Sequence, residues 1–93
     1  MNNQHKLIKG YRDLPQETID LMNKVKEKER ELLALYQEVH TAIDIQQRSY
    51  GADSVEWQRL AAAQPYRWLA IARTDIETGF MAMVRAIAQP LNL

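Results

Sequence analysis

Nucleophiles, bases and metal ligands are the residues through which a chain of 93 residues could do chemistry, and here they are scarce. There is no Cys, and the two His are His5, near the start, and His40. A nucleophile needs a base within hydrogen-bond reach and a third group to orient that base, and no such set of residue types is spaced for the task. His40 falls one step from an apolar periodicity, a setting that favours a satisfied, partly buried imidazole over a metal ligand or a base. Glu27, Glu29 and Glu31 are interleaved with Lys24, Lys26, Lys28 and Arg30. At helical spacing this describes a solvated face with weak ion pairs rather than an acid and base working together. The three glycines stand apart at positions 10, 51 and 79, so no Gly-rich phosphate loop is present. The expectation is a protein without catalytic residues, metal or cofactor.

A different chemistry fits what remains. Tyr11 and Trp68 offer aromatic faces, and stacking on a nucleobase contributes about 1–3 kcal/mol per base. Lys26, Arg67 and Arg73 offer charge to phosphate oxygens. Together they suit a small, flat, anionic molecule. Each also has a structural reading, which the residues alone favour: the Tyr pins an arm, the Lys is solvated, and the Trp is core. Twelve basic and twelve acidic side chains cancel, so bulk charge does not draw the chain to DNA, RNA or an anionic membrane.

The elements that must carry these residues follow from Pro, Gly and periodicity. A chain of this length forms a single domain, 1–93. Residues 1–14 are polar, contain Gly10 and end at Pro15, so they read as an N-terminal arm. Pro15 suits a first helical position, where its missing N–H is not needed, and it opens helix A over 15–49. Met22, Val25, Leu32, Tyr36, Val39 and Ile43 recur at steps of three and four or their sum, which predicts one apolar seam, broken at Glu29. Tyr50-Gly51-Ala52 reads as a turn with Gly51 supplying a positive φ. Asp53-Ser54-Val55-Glu56 then reads as an N-cap with a capping-box Glu. Helix B spans 54–88, with Pro65 kinking it and Pro90 ending it.

Leu69, Ala72, Ile76, Phe80, Met83 and Ile87 predict the stripe of helix B that packs on helix A. Trp68, Ile71, Gly79 and Val84 widen it beyond what one partner helix covers. Gly79 costs about 1 kcal/mol against Ala inside a helix, and close approach of another backbone is the usual reason for such a residue. Small domains bury little core, and without Cys the remedy left is self-association. The fold class is therefore all-α: an antiparallel helical hairpin with a short arm, assembled as a homo-oligomer. No stretch approaches about 18 apolar residues and no signal-peptide pattern is present, so a cytoplasmic location is expected.

Two blocks carry a resemblance. His5-Lys6-Leu7-Ile8-Lys9-Gly10-Tyr11-Arg12-Asp13-Leu14, and the run from Arg67-Trp68-Leu69 through Thr78-Gly79-Phe80 to Gln89-Pro90, resemble the phage anti-CBASS cyclic-oligonucleotide sponges. The likeness extends from the arm to Pro90 and is weakest between about Lys28 and Ala63. It implies a hairpin assembled into a hexamer that holds cyclic nucleotides made by bacterial antiviral enzymes, acting in the cytoplasm of the infected cell. It further implies a cyclic dinucleotide site using Tyr11 for the base and Lys26 for phosphate, and a cyclic trinucleotide site using Arg67, with Lys28 near it. The alternative is a structural helical adaptor whose broad apolar stripe docks a host or phage protein.

Overall fold

The computed structural model describes residues 13–90. Helices are the regular elements among them: α1 over Gln16–Ser49, α2 over Val55–Ala63 and α3 over Pro65–Ala88. Pro15 sits at the cap of α1, one place before the first helical residue, and its carbonyl accepts from the N–H groups of Thr18 and Ile19 at 3.0 and 3.2 Å. Glu17 lies in the first turn and Arg48 in the last, each matched in sign to its end of the helix dipole.

The connection to α2 differs in detail from the sequence reading. The residue in the left-handed region is Asp53, at φ 63°, and not Gly51. Asp tolerates this region because its short polar side chain bonds locally. Ser54 is the cap of α2, and its Oγ accepts from the Trp57 N–H at 3.1 Å. That register puts Trp57, not Glu56, at the third helical position, so no capping box forms. Glu56 instead lies in the first turn, where the helix dipole favours an acid.

Pro65 bends the second arm as expected. Its ring would clash with the carbonyl four residues back, and it disfavours right-handed helix at the residue before it. Gln64 accordingly takes a left-handed conformation, φ 51° and ψ 53°, closing α2 while Pro65 opens α3. The arm bends by 31° there, and α3 runs back along α1.

The hairpin seam is offset from the predicted one. In α1 the half-buried positions include Met22, Val25, Glu29, Leu33, Tyr36, His40 and Ile43. Leu32 and Val39 point outward, 37% and 43% exposed. Glu29 is thus a member of the seam, not a gap in it. In α3, Leu69, Ala72, Ile76, Phe80, Val84 and Ile87 turn inward, whereas Met83 is 45% exposed. A helix with apolar residues on two faces gives a periodicity that fits either face, and packing alone decides between them.

Little is fully enclosed. Leu60 and Leu69 are the buried residues among those described. The chain measures 65 × 24 × 16 Å with a radius of gyration of 20.3 Å, where a compact domain of this length would have about 12 Å. Its accessible surface is 7280 Å², against roughly 5500 Å² for a compact monomer of the same mass. Leu35, Ile45, Trp68, Ile71 and Met81 are among the large apolar side chains left outside. No helix among the described residues is long and apolar enough to cross a membrane.

Candidate anion-binding sites at the two ends of the hairpin

Where the start of α1 meets the end of α3 there is a depression of about 420 Å³ lined by Leu14, Met22, Lys26, Met81, Val84, Arg85, Ala88 and Pro90. Met22 and Lys26 are one helical turn apart on α1 and line the same depression. Arg85 contributes a second cation from α3. Tyr11, the stacking residue expected beside Lys26, lies outside the described residues.

At the closed end, Arg67 is the third residue of α3 and helps line a pocket of about 340 Å³ with Gln47, Trp57, Leu60, Gln64 and Tyr66. Its guanidinium carbon lies 5.3 Å from the centre of the Trp68 ring. Among the described residues it makes no ion pair. Lys28 is elsewhere. It is exposed and pairs with Glu31 at 3.1 Å. Lys26 on α1 faces Val84 and Arg85, and Asp44 faces Tyr66. Lys28 therefore stands level with about Met81, and a rise of about 1.5 Å per residue puts it roughly 20 Å along the hairpin from Arg67. One chain does not bring Arg67 and Lys28 together, and a site using both needs more than one copy.

Sequence reading missed a third group. Tyr66 Oη donates to Asp44 Oδ1 at 2.6 Å and lies 2.8 Å from Gln47 Oε1. His40 Nδ1 is 3.2 Å from Asp44 Oδ2, and its ring is tilted against Tyr66 at 5.5 Å and Tyr36 at 6.1 Å. Arg73 lies over Tyr36 at 5.6 Å. The Tyr66 hydrogen bond holds the Asp44 carboxyl below its ordinary value, outweighing the opposing desolvation, with His40 and then Arg48 adding to the effect. The same bond raises the Tyr66 phenol. The cluster brings a carboxylate, an imidazole and a phenol together, and the Tyr66–Asp44 bond clamps α3 to α1. Its only sequence signal was the i, i+4 pair His40 and Asp44; nothing local links Asp44 to Tyr66. Among the described residues, no group of three or more His, Cys, Asp or Glu could hold a metal.

Over residues 3–88 the sequence matches a described family, the Acb2/Tad1 hairpin domain. This chain belongs to the Acb2/Tad1 hairpin family. It is 48% identical to "Anti-CBASS protein 2" of Pseudomonas phage JBD67, an alignment that covers 97% of this chain and 97% of that protein. Tyr11, Lys26, Lys28 and Arg67 all fall within the span shared with the Acb2/Tad1 hairpin. The likeness therefore takes in both ends of the molecule, including the stretch where the sequence resemblance was weakest.

Proposed function

We propose that this protein is a phage-encoded sponge that binds cyclic dinucleotide messengers, and cyclic trinucleotides at a second site, inside the infected bacterial cell. It withholds them from CBASS effectors without cleaving them. The observation that carries the reading is the near full-length similarity to an anti-CBASS protein. The geometry supports it: Lys26 lines a largely apolar depression, and a cation beside an apolar surface suits a phosphate joined to a base.

Each depression is open on one side, and the apolar outer faces call for cover. A homo-oligomer, a hexamer by resemblance, supplies both, closing each pocket with a neighbouring copy. Arg67 at the closed end would meet its counterparts at a symmetry axis. Converging guanidiniums repel one another unless solvated or filled by an anion, and a cyclic trinucleotide brings three phosphates of matching symmetry.

Calorimetry with 3′,3′-cGAMP and with cyclic tri-AMP tests the assignment. Tyr11→Ala and Lys26→Ala are each expected to weaken cGAMP binding by about 10-fold or more while the assembly stays intact, the loss of a stacked ring or a charge-assisted bond. Arg67→Ala is expected to abolish cyclic tri-AMP binding and spare cGAMP. Unchanged cGAMP affinity in both of the first two variants would refute the dinucleotide site. Loss of both ligands together in Arg67→Ala would refute the second.

A further inference from the structure

The clamp around Tyr66 has no part in the assignment above, yet it stands one residue from Arg67 and shares a pocket wall with it. Gln64, two residues before Tyr66, holds a left-handed conformation that a residue with a side chain seldom adopts and that persists only where its surroundings over-determine it. Pro65 sets that conformation locally and the buried Leu60 and Leu69 flank it, while Gln64 and Arg67 are exposed and Tyr66 is 36% exposed. Two polar contacts of one phenol tie this stretch to the other arm: Tyr66 Oη donates to Asp44 Oδ1 at 2.6 Å and lies 2.8 Å from Gln47 Oε1. They span 22 and 19 residues of sequence. Asp44 is held in turn by His40, whose ring also meets the Tyr66 ring.

We infer that Tyr66 is a positioning residue: by locking the start of α3 to Asp44 and Gln47 it fixes the bend, and with it the direction in which the adjacent Arg67 guanidinium points. The side chain of Arg67 is long, and among the described residues it has no carboxylate to hold it; its contact is the Trp68 ring at 5.3 Å. An anion site built from such a side chain depends on the backbone that aims it. The inference rests on the reading of Arg67 as a phosphate contact, but the aiming itself is measurable without any ligand.

Two readouts on the intact protein test it. Stacking on Trp68 shifts the Arg67 side-chain protons upfield in NMR spectra. Tyr66→Phe, which keeps the ring against His40 and removes only the hydroxyl, is expected to collapse that shift toward the value of a free arginine. Asp44→Asn keeps an acceptor for Tyr66 Oη and is expected to retain the shift that Asp44→Ala loses, a rescue that general loosening of the fold would not produce. Calorimetry is then expected to show cyclic tri-AMP binding weakened about 10-fold in Tyr66→Phe, with cGAMP affinity changed less than twofold. An undiminished ring-current shift in Tyr66→Phe overturns the inference, and so does a collapsed shift with unchanged cyclic tri-AMP affinity. If the parent protein binds no cyclic tri-AMP, the assignment of Arg67 to that ligand falls, while the NMR comparison still decides whether Tyr66 aims it.

Discussion

Gly79 offers a substitution whose effect has opposite sign depending on whether another copy of the chain packs against α3. It lies inside that helix on its exposed side, and a Cβ added to it meets no atom of the chain within 4 Å. Nothing within the hairpin therefore requires glycine there. For an isolated hairpin, Gly79→Ala should stabilise by about 1 kcal/mol through helix propensity alone. In a domain of this size that raises Tm by about 4–8 °C. If instead a neighbouring backbone lies in the shallow groove that Gly79 forms with Leu32, Phe80 and Met83, the new methyl intrudes on it. Overpacking of that kind costs about 1–3 kcal/mol at each contact. The account predicts the second outcome: a lower Tm for Gly79→Ala, and for Gly79→Leu a fall to the monomer in sedimentation velocity at micromolar protein. Melting followed by circular dichroism, with mass from the same samples, reads both. A rise of 4–8 °C with an unchanged mass in both variants would refute packing at this face.

Leu69→Ala removes one of the two buried side chains among the described residues, and should cost about 2–5 kcal/mol in denaturant unfolding; a loss below 1 kcal/mol would mean that the hairpin seam is not where its stability resides. The Asp44–Tyr66 bond predicts a pH profile with two limbs. Because the folded Asp44 pKa lies below its ordinary 3.8, its contribution is present above that pH and is lost as pH falls through the lowered folded value. Because the folded Tyr66 pKa lies above its ordinary 10.0, its contribution is present below that pH and is lost as pH rises through the raised value. Tyr66→Phe should flatten both limbs, and an unaltered acid limb would show that the bond does not form in solution.

Much of the architecture was legible because it depends on backbone chemistry that particular residues dictate. Pro65 cannot continue the helix that precedes it but can open the next, and Ser54 offers an orphaned N–H group of α2 an acceptor. Harder to read was which apolar face of α1 meets α3. Leu32 and Leu33 are adjacent, as are Val39 and His40, so a seam through one member of each pair fits a helical period about as well as a seam through the other. Contact with α3 selected Leu33 and His40, carrying Glu29 into the seam and leaving Leu32 and Val39 outside. The same ambiguity moved Met83 outward and Val84 inward. Gly51 attracted the turn assignment because glycine takes positive φ freely, but Asp53 adopts it here. At the sites, the cations could be named from residue type, whereas the distance between Lys28 and Arg67 required the hairpin register. The Tyr66 clamp was invisible because its partners lie on the other arm.

The central claim is capture without turnover, and recovery of the ligand tests it most directly. The protein is incubated for hours with a limiting amount of 3′,3′-cGAMP, freed of unbound nucleotide by gel filtration, and denatured by heat, and the released material is resolved by liquid chromatography with mass detection. The account predicts that cGAMP travels with the protein and returns intact in the amount bound, and that less of it travels with Lys26→Ala. Passage of the protein free of nucleotide, or linear dinucleotide in proportion to protein and lost with Tyr11→Ala, would contradict it.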